Sequence, residues 1–296
     1  VTTEQQTKDR QLSKTRQWEQ ALVILYANFR DYSKKALDKF DEEDIHQTRV
    51  NSRKLLTLLS ILDPEHTSGL YPVFKKSQKR LGKVRDADVL IASFKDRRQA
   101  AKQEGSKKVA GLLKAVIKHQ KDKRKIYRRK LAEQLPRLVN KELDRLWDTF
   151  LREQLEPLVS KRDANVVMRE LEVAFEQQKK TCKTIFREQD SGSGEAFEAL
   201  HQLRIAAKEL RYTASSASFA LSQKFHAHEQ MFQEIQDQLG LINDKRVWLE
   251  TLDSIGREKL EIGRKTWNAF TDALRAEVLE ALQQNEVVPV ATRTKS

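Results

Sequence analysis

The chain has 296 residues, 39% hydrophobic and 33% charged, with a formal charge of +13 and one cysteine. That much apolar material excludes a fully disordered chain, and a lone cysteine excludes an intrachain disulfide or a cysteine-based zinc site. No run of roughly 18 uncharged apolar residues occurs, which excludes a membrane-spanning helix; the opening VTTEQQTKDR lacks the apolar run of a secretory signal, so a reducing, cytoplasmic location is expected.

Nine Gly and five Pro punctuate the chain thinly, and helical periodicity runs throughout. In chain order the pattern predicts helices over 6–40, 44–62, 69–103, 106–134, 137–159, 162–189, 195–221, 225–256 and 259–285. Asp63-Pro64 stops the second, Gly105-Ser106 restarts the fourth, and Pro136 suits the first turn of the fifth. The stretch 137–190 reads as long helix bent or broken near Pro157, and Ser191-Gly192-Ser193-Gly194 reads as a loop. No segment alternates apolar and polar residues with β-branched enrichment, so the class is all-α.

The charge is unevenly spread. Residues 1–134 carry 32 Lys/Arg against 17 Asp/Glu, whereas residues 135–296 carry 24 against 26. A basic excess of this kind attracts a polyanion such as nucleic acid, polyphosphate or an anionic membrane. Helical phase then groups the cations. Taking His46 as zero at about 100° per residue, Arg49 falls near 300° and Arg53 near 340°, while Leu55, Leu58, Leu59 and Leu62 lie opposite. Lys75, Lys76, Lys79, Arg80 and Lys83 form a second stripe about 140° wide. On 106–134, Lys107, Lys114, Lys118, Lys121, Lys125 and Arg128 fall within about 80° of one another, with Val109, Leu112, Leu113, Val116 and Tyr127 on the opposing arc. That row runs roughly 30 Å. Like charges three and four residues apart repel by a few tenths of a kcal/mol per pair. On 106–130 the single acid, Asp122, lies off the stripe.

Two motifs recur in order. His46-Gln-Thr-Arg49-Val-Asn-Ser-Arg53-Lys-Leu55 returns 155 residues later as His201-Gln-Leu-Arg204-Ile-Ala-Ala-Lys208-Glu-Leu210. Leu81-Gly82-Lys-Val-Arg85-Asp86-Ala-Asp-Val89 returns 158 residues later as Leu239-Gly240-Leu-Ile-Asn243-Asp244-Lys-Arg-Val247. The nearly equal offsets predict two related halves of about four helices each, 1–135 and 136–290, followed by a tail at 291–296. In the second copy Arg204, Lys208 and Arg211 share one stripe opposite Leu203, Ala206 and Leu210, and Tyr212 borders it as a hydroxyl donor for an anion. Asp86 and Asp244 are placed to pair with cations of the neighbouring His-motif helix, and Gly82 and Gly240 to let helices approach.

These motifs, with K208ELRY212 closing the second and LGKVRDADV in the first half, resemble the CHAD family, the conserved histidine α-helical domain, over approximately 10–285. The resemblance implies two pseudo-symmetric four-helix bundles with a basic cavity or channel between them. It also implies non-catalytic binding of inorganic polyphosphate, which sulfate or phosphate would mimic. It places the protein among stand-alone members that associate with polyphosphate granules, with no cofactor. Carried over by position, it nominates His46, Arg49, Arg53, Arg85, His201, Arg204, Lys208, Arg211 and Tyr212 as lining residues. Phase adds Lys76, Lys79, Arg80, Lys83, Lys114, Lys118, Lys121, Lys125 and Arg128. The second copy departs from the first, with Gln233 and Glu234 in place of Lys75 and Lys76, and Asn243 in place of Arg85.

Other chemistries find less support. A metal site would need more than His46 and His201, yet there is no HExxH, no clustered carboxylate and no cysteine partner. Neither a Gly-rich phosphate loop nor a Ser/His/Asp nucleophile is legible, and a phosphoanhydride hydrolase would need clustered acids for Mg²⁺. The competing class is a helical nucleic-acid-binding protein using the same basic faces. Against it, the stripes carry hardly any aromatic residues for stacking and no helix-turn-helix signature.

Overall fold

In the computed structural model, residues 2–188 and 192–288 are described, the side chains of 2–5 excepted. Among them there is no strand. Ten α-helices run in order among the described residues: α1 Thr2–Lys39, α2 Glu42–Leu62, α3 Leu70–Gln103, α4 Lys107–Leu138, α5 Lys141–Thr149, α6 Leu155–Lys161, α7 Ala164–Glu188, α8 Gly194–Ser216, α9 His228–Ile255 and α10 Arg264–Gln284. No helix among the described residues is long and apolar enough to cross a membrane. The expected tail 291–296 and Ser191 of the expected loop lie outside the described residues.

Local chemistry explains several of the ends. Asp41 caps α2, its carboxylate accepting from the backbone N–H of Glu43 at 2.9 Å and of Asp44 at 3.3 Å. Asp63 closes the same helix and then turns the chain, accepting from the backbone of Thr67 and Ser68. Gly105 takes a positive φ of 74° between α3 and α4, a conformation that glycine tolerates without a Cβ clash.

One of two proline expectations needs correction. Pro136 lies inside the last turn of α4, not at the start of the next helix. The break comes at Asn140, whose side-chain oxygen accepts from Glu142 N–H at 3.0 Å and Leu143 N–H at 3.1 Å and so caps α5. The break near Pro157 takes the form of a π-helical turn over Phe150–Gln154, with Leu155 N–H bonding back to the Phe150 carbonyl. Pro157 removes an N–H and crowds the carbonyl four residues earlier; the wider turn just before it relieves that crowding while the helix continues into α6.

The described chain forms two compact units. Unit 1 comprises the described residues up to Val89, Lys121–Met168 and Tyr212–His226; unit 2 comprises Leu90–Gln120, Arg169–Arg211 and the described residues from Ala227 onward. Units are defined by packing and sequence halves by motif recurrence, and they divide the chain differently. In unit 1, α1 packs on α2, and Ala36, Ile45, Leu81, Val84, Leu131 and Leu135 form a buried cluster. A second cluster is aromatic: Tyr26 stacks on Trp147 at 4.2 Å, and Phe74 meets Phe29 and Trp147 edge-on. The Tyr26 hydroxyl donates to Asp144 at 2.6 Å, which satisfies its polar end inside the packing.

Unit 2 has its own core, built from Ile91, Phe94, Leu112, Leu113, Val116, Leu252, Phe270 and Leu274. An ionic tie crosses it. Glu277 on α10 accepts from Arg97 of α3 through both guanidinium nitrogens, Nη1 at 3.0 Å, and from Lys245 Nζ of α9 at 2.7 Å. The Arg97 guanidinium also lies over the rings of Trp248 and Phe270, their centres 5.4 and 5.5 Å away. Burial pushes the Glu277 carboxyl up, but the hydrogen bonds from Arg97 and Lys245 outweigh it and hold the group below its ordinary value of 4.5. A depressed acid stabilises the fold above its unfolded-state value, and that contribution disappears as pH falls through the folded value. Glu277→Gln is therefore expected to be less stable than the parent at pH 7, with the gap closing as pH drops below about 4.5 and onward through acid unfolding. Urea unfolding of both proteins between pH 7 and pH 2 checks this.

Candidate anion-binding site

The first His-motif helix, α2, presents its two faces as the phase argument requires. Leu55, Leu58, Leu59 and Leu62 are fully buried, while His46, Arg49 and Arg53 are half-buried. Burial holds the His46 imidazole below its ordinary value of 6.5, and the positive charge of Arg85 on α3 pushes it further down; Glu43 opposes and Arg49 reinforces the shift. At neutral pH the ring is therefore uncharged, and an anion placed beside these three groups would reverse the balance. Arg49 lies along Gly82 of α3, where a Cβ would stand 3.7 Å from its Nε. Its Nη1 reaches Asp86 at 3.9 Å, a loose pair with an exposed acid, and its Nε is buried with no hydrogen-bond partner among the described residues. Gly240, the counterpart of Gly82, faces open space, so the expected close approach there does not occur. Asp244 is exposed.

Arg53 and Tyr212 come together. The guanidinium sits over the phenol ring at 4.8 Å, both within unit 1, although 159 positions separate them and each comes from a different copy of the His motif. The pairing places a cation and a hydroxyl side by side, two of the donor types that grip a phosphate oxygen.

The two cation rows lie on α3 and α4. Lys75, Lys76, Lys79 and Lys83 are exposed and Arg80 is half-buried, with Lys83 Nζ near the Tyr127 ring at 5.8 Å. On α4, Lys107, Lys114, Lys118, Lys121 and Lys125 are all exposed, opposite the buried Leu112, Leu113 and Val116. Lys121 and Lys125 belong to unit 1, and Lys107, Lys114 and Lys118 to unit 2. Among the described residues none of these nine lysines forms an ion pair with a carboxylate.

Arg128 ends the row differently. It turns onto Asp88 at 3.5 Å and lies over the Phe40 ring at 5.7 Å. Asp88 is fully buried; Arg124 meets the same carboxylate oxygen at 2.8 Å and also reaches Glu42 at 3.7 Å. One buried acid thus fixes two arginines on the inner edge of α4. Burial and the neighbouring Arg124 lower the Arg128 pKa, while Asp88 and Glu42 oppose that shift. Sequence reasoning missed Asp88 and Arg124. The signal was available: Asp88 stands four residues beyond Val84 and three before Ile91, both buried, so it occupies the core face of α3 and requires a cationic partner.

In unit 2, His201, Arg204, Lys208 and Arg211 are half-buried on α8, and the buried face consists of Leu203, Ala207 and Leu210, with Ala206 only partly covered. Arg211 donates to Gln236 of α9 at 3.1 Å. His201 and Arg204 line a small cleft with Phe197, Leu200, Leu239, Ile242, Asn243 and Arg246. Sequence reasoning missed Arg246 as well. It aligns with Asp88 at the second motif's offset, so one copy holds an acid where the other holds a base.

These arrangements can hold phosphate oxygens through guanidinium, ammonium, imidazole and phenol donors. Among the described residues no three His, Cys, Asp or Glu side chains gather as a metal site would need. Cys182 is buried, and burial pushes its thiol up to about 11, which leaves it protonated at neutral pH.

A sequence profile described as CHAD domain matches residues 20–253. No curated protein matches the chain. Among solved structures, the crystal structure of the CHAD domain from the plant Ricinus communis aligns with a TM-score of 0.61 at 20% identity, covering 92% of this chain and 88% of that one. At that identity the likeness establishes a shared fold.

Removing Asp88 leaves Arg124 and Arg128 facing each other, mostly buried. Asp88→Ala is expected to cost about 3 kcal/mol, whereas Asp86→Ala, at an exposed and loose pair, should change stability by no more than about 0.5 kcal/mol. Equal effects of the two in urea unfolding would refute the positioning role given to Asp88.

Proposed function

The chain belongs to the CHAD domain family, and we propose that it binds inorganic polyphosphate through its basic helix faces without reacting with it. One observation carries the reading: nine exposed lysines on α3 and α4 have no carboxylate partner among the described residues. Ordinary surface helices intersperse the two signs. Along α4, Lys114, Lys118, Lys121 and Lys125 follow one another at intervals of three and four residues, so their positions rise by about 4.5 to 6 Å each. Each adjacent pair repels by a few tenths of a kcal/mol. A narrow, flexible chain of phosphates laid along the row relieves every one of those repulsions and releases its own condensed counterions.

The choice between polyphosphate and nucleic acid rests on the absence of stacking platforms from the rows. Bases would call for exposed aromatic rings. The Tyr127 ring beside Lys83 packs in the unit 1 core and is not such a platform. Phosphate alone needs only cations and hydrogen-bond donors, which Arg53 with Tyr212, and His46 with Arg49 and Arg85, supply. The family resemblance extends the reading to association with polyphosphate granules in the cytoplasm. Catalysis is not part of the proposal, because no carboxylate cluster for Mg²⁺ accompanies the cations among the described residues.

Two measurements test it. In competition, long-chain polyphosphate should displace a DNA probe at far lower phosphate concentration than DNA displaces labelled polyphosphate; parity would favour the nucleic-acid reading. Replacing Lys118, Lys121 and Lys125 together with Glu should abolish polyphosphate binding with the far-UV circular dichroism unchanged. Retained affinity in that variant would make the row a solvated face and nothing more.

A further inference from the structure

The second motif copy has lost the cation that flanks the histidine in the first, since Asn243 stands where Arg85 stands. The cleft nevertheless contains a cation that the family motif does not supply. Arg246, one turn of α9 beyond Asn243, lines it together with His201 and Arg204 of α8, all within unit 2. Its guanidinium is held over the Phe197 ring at 5.6 Å, which fixes its plane before any ligand arrives. Across the cleft, His201 Nδ1 is buried and has no hydrogen-bond partner among the described residues. A buried polar atom left in that condition is costly unless water or a ligand satisfies it.

Arg246 is engaged on one side. Glu250, four residues on, approaches its Nε at 3.0 Å, and the Glu250 side chain is 59% exposed. An exposed pair of this type on one helix is weak and easily exchanged. The pair runs through Nε, so the outer Nη edge of the guanidinium is not the part that Glu250 holds. Two other cation clusters are tied more firmly: Arg97 and Lys245 share a half-buried acid, and Arg124 and Arg128 share a buried one.

We infer that Arg246 restores the missing cation and forms, with His201 and Arg204, a phosphate-binding position of unit 2 in which Glu250 is the resident competitor that a phosphate group displaces. This rests on the polyphosphate reading and adds to it a residue and a means of weakening binding that the family motif does not contain. No bond is made or broken: one ionic partner of Arg246 is exchanged for another, and a proton on Nδ1 of His201 gains an acceptor.

The test is isothermal titration with long-chain polyphosphate over a range of NaCl concentrations, using the whole chain and the variants Arg246→Gln, Arg246→Lys and Glu250→Gln, with thermal unfolding as the control for folding. Arg246→Gln should weaken binding roughly tenfold, the loss of one charge-assisted contact. Its plot of log affinity against log salt should also be shallower by about one unit, because one fewer counterion is released. Arg246→Lys should restore the parent slope, and Glu250→Gln should bind more tightly than the parent. If the parent binds while Arg246→Gln and Glu250→Gln both match it in affinity and slope, the inference is overturned and the polyphosphate reading stands. Weakening by Arg246→Gln with an unchanged slope and no rescue by lysine would mark the arginine as structural and overturn the inference too. A parent that does not bind polyphosphate at all overturns both.

Discussion

Uncompensated repulsion among cations on the same helix faces is the constraint on which this structure turns. A helical protein with 33% charged residues has ample acids to neutralise its lysines, and this one has 43 acids in all. They are not placed there. Three of the acids that bind cations are wholly or partly sheltered by the packing: Asp88 holds Arg124 and Arg128, Glu277 holds Arg97 and Lys245, and Asp144 holds Arg30. The lysines of α3 and α4 are left in solvent, where charge is least costly to the fold and most available to a ligand. Arginine and lysine therefore do different work here. Arginines, with planar and strongly directional guanidinium groups, are packed on rings and against sheltered acids; lysines, as flexible point charges, form the outer rows.

Much of this was legible in the sequence, for reasons that particular residues make clear. The faces of α2 and α4 follow from the 3.6-residue period, because Leu55, Leu58, Leu59, Leu62, Leu112, Leu113 and Val116 repeat at core spacing, and the structure buries all seven. The helix ends marked by Asp63-Pro64 and Gly105 followed from chemistry that acts within a few residues. Pro136 misled because proline is easiest to place in a first turn, where its missing N–H has no intrahelical partner, whereas here it lies in the last turn of α4, two residues before that helix ends. The break was written instead in Asn140, a side chain able to cap the helix it precedes.

The features that the sequence did not disclose depend on contacts between distant segments. The meeting of Arg53 with Tyr212 requires two motif copies to be folded first. Asp86 drew attention over Asp88 because it belongs to the recurring motif, yet the unrepeated acid is the buried one. Comparing the copies for identity located the shared skeleton; comparing them for charge reversal would have located Asp88 and Arg246 together. The two copies have diverged at that single position into opposite solutions. In unit 1 an acid ties arginines into the structure, and in unit 2 an arginine takes the place beside a histidine.

If the cation rows are a standing electrostatic cost, an anion that neutralises them must stabilise the fold. The most direct measurement is thermal unfolding of the chain at low ionic strength, with and without long-chain polyphosphate. The account predicts a rise in Tm that shrinks steadily as NaCl is added, since salt screens the same repulsions and competes for the same sites. A Tm that polyphosphate leaves unchanged or lowers at low salt would contradict it.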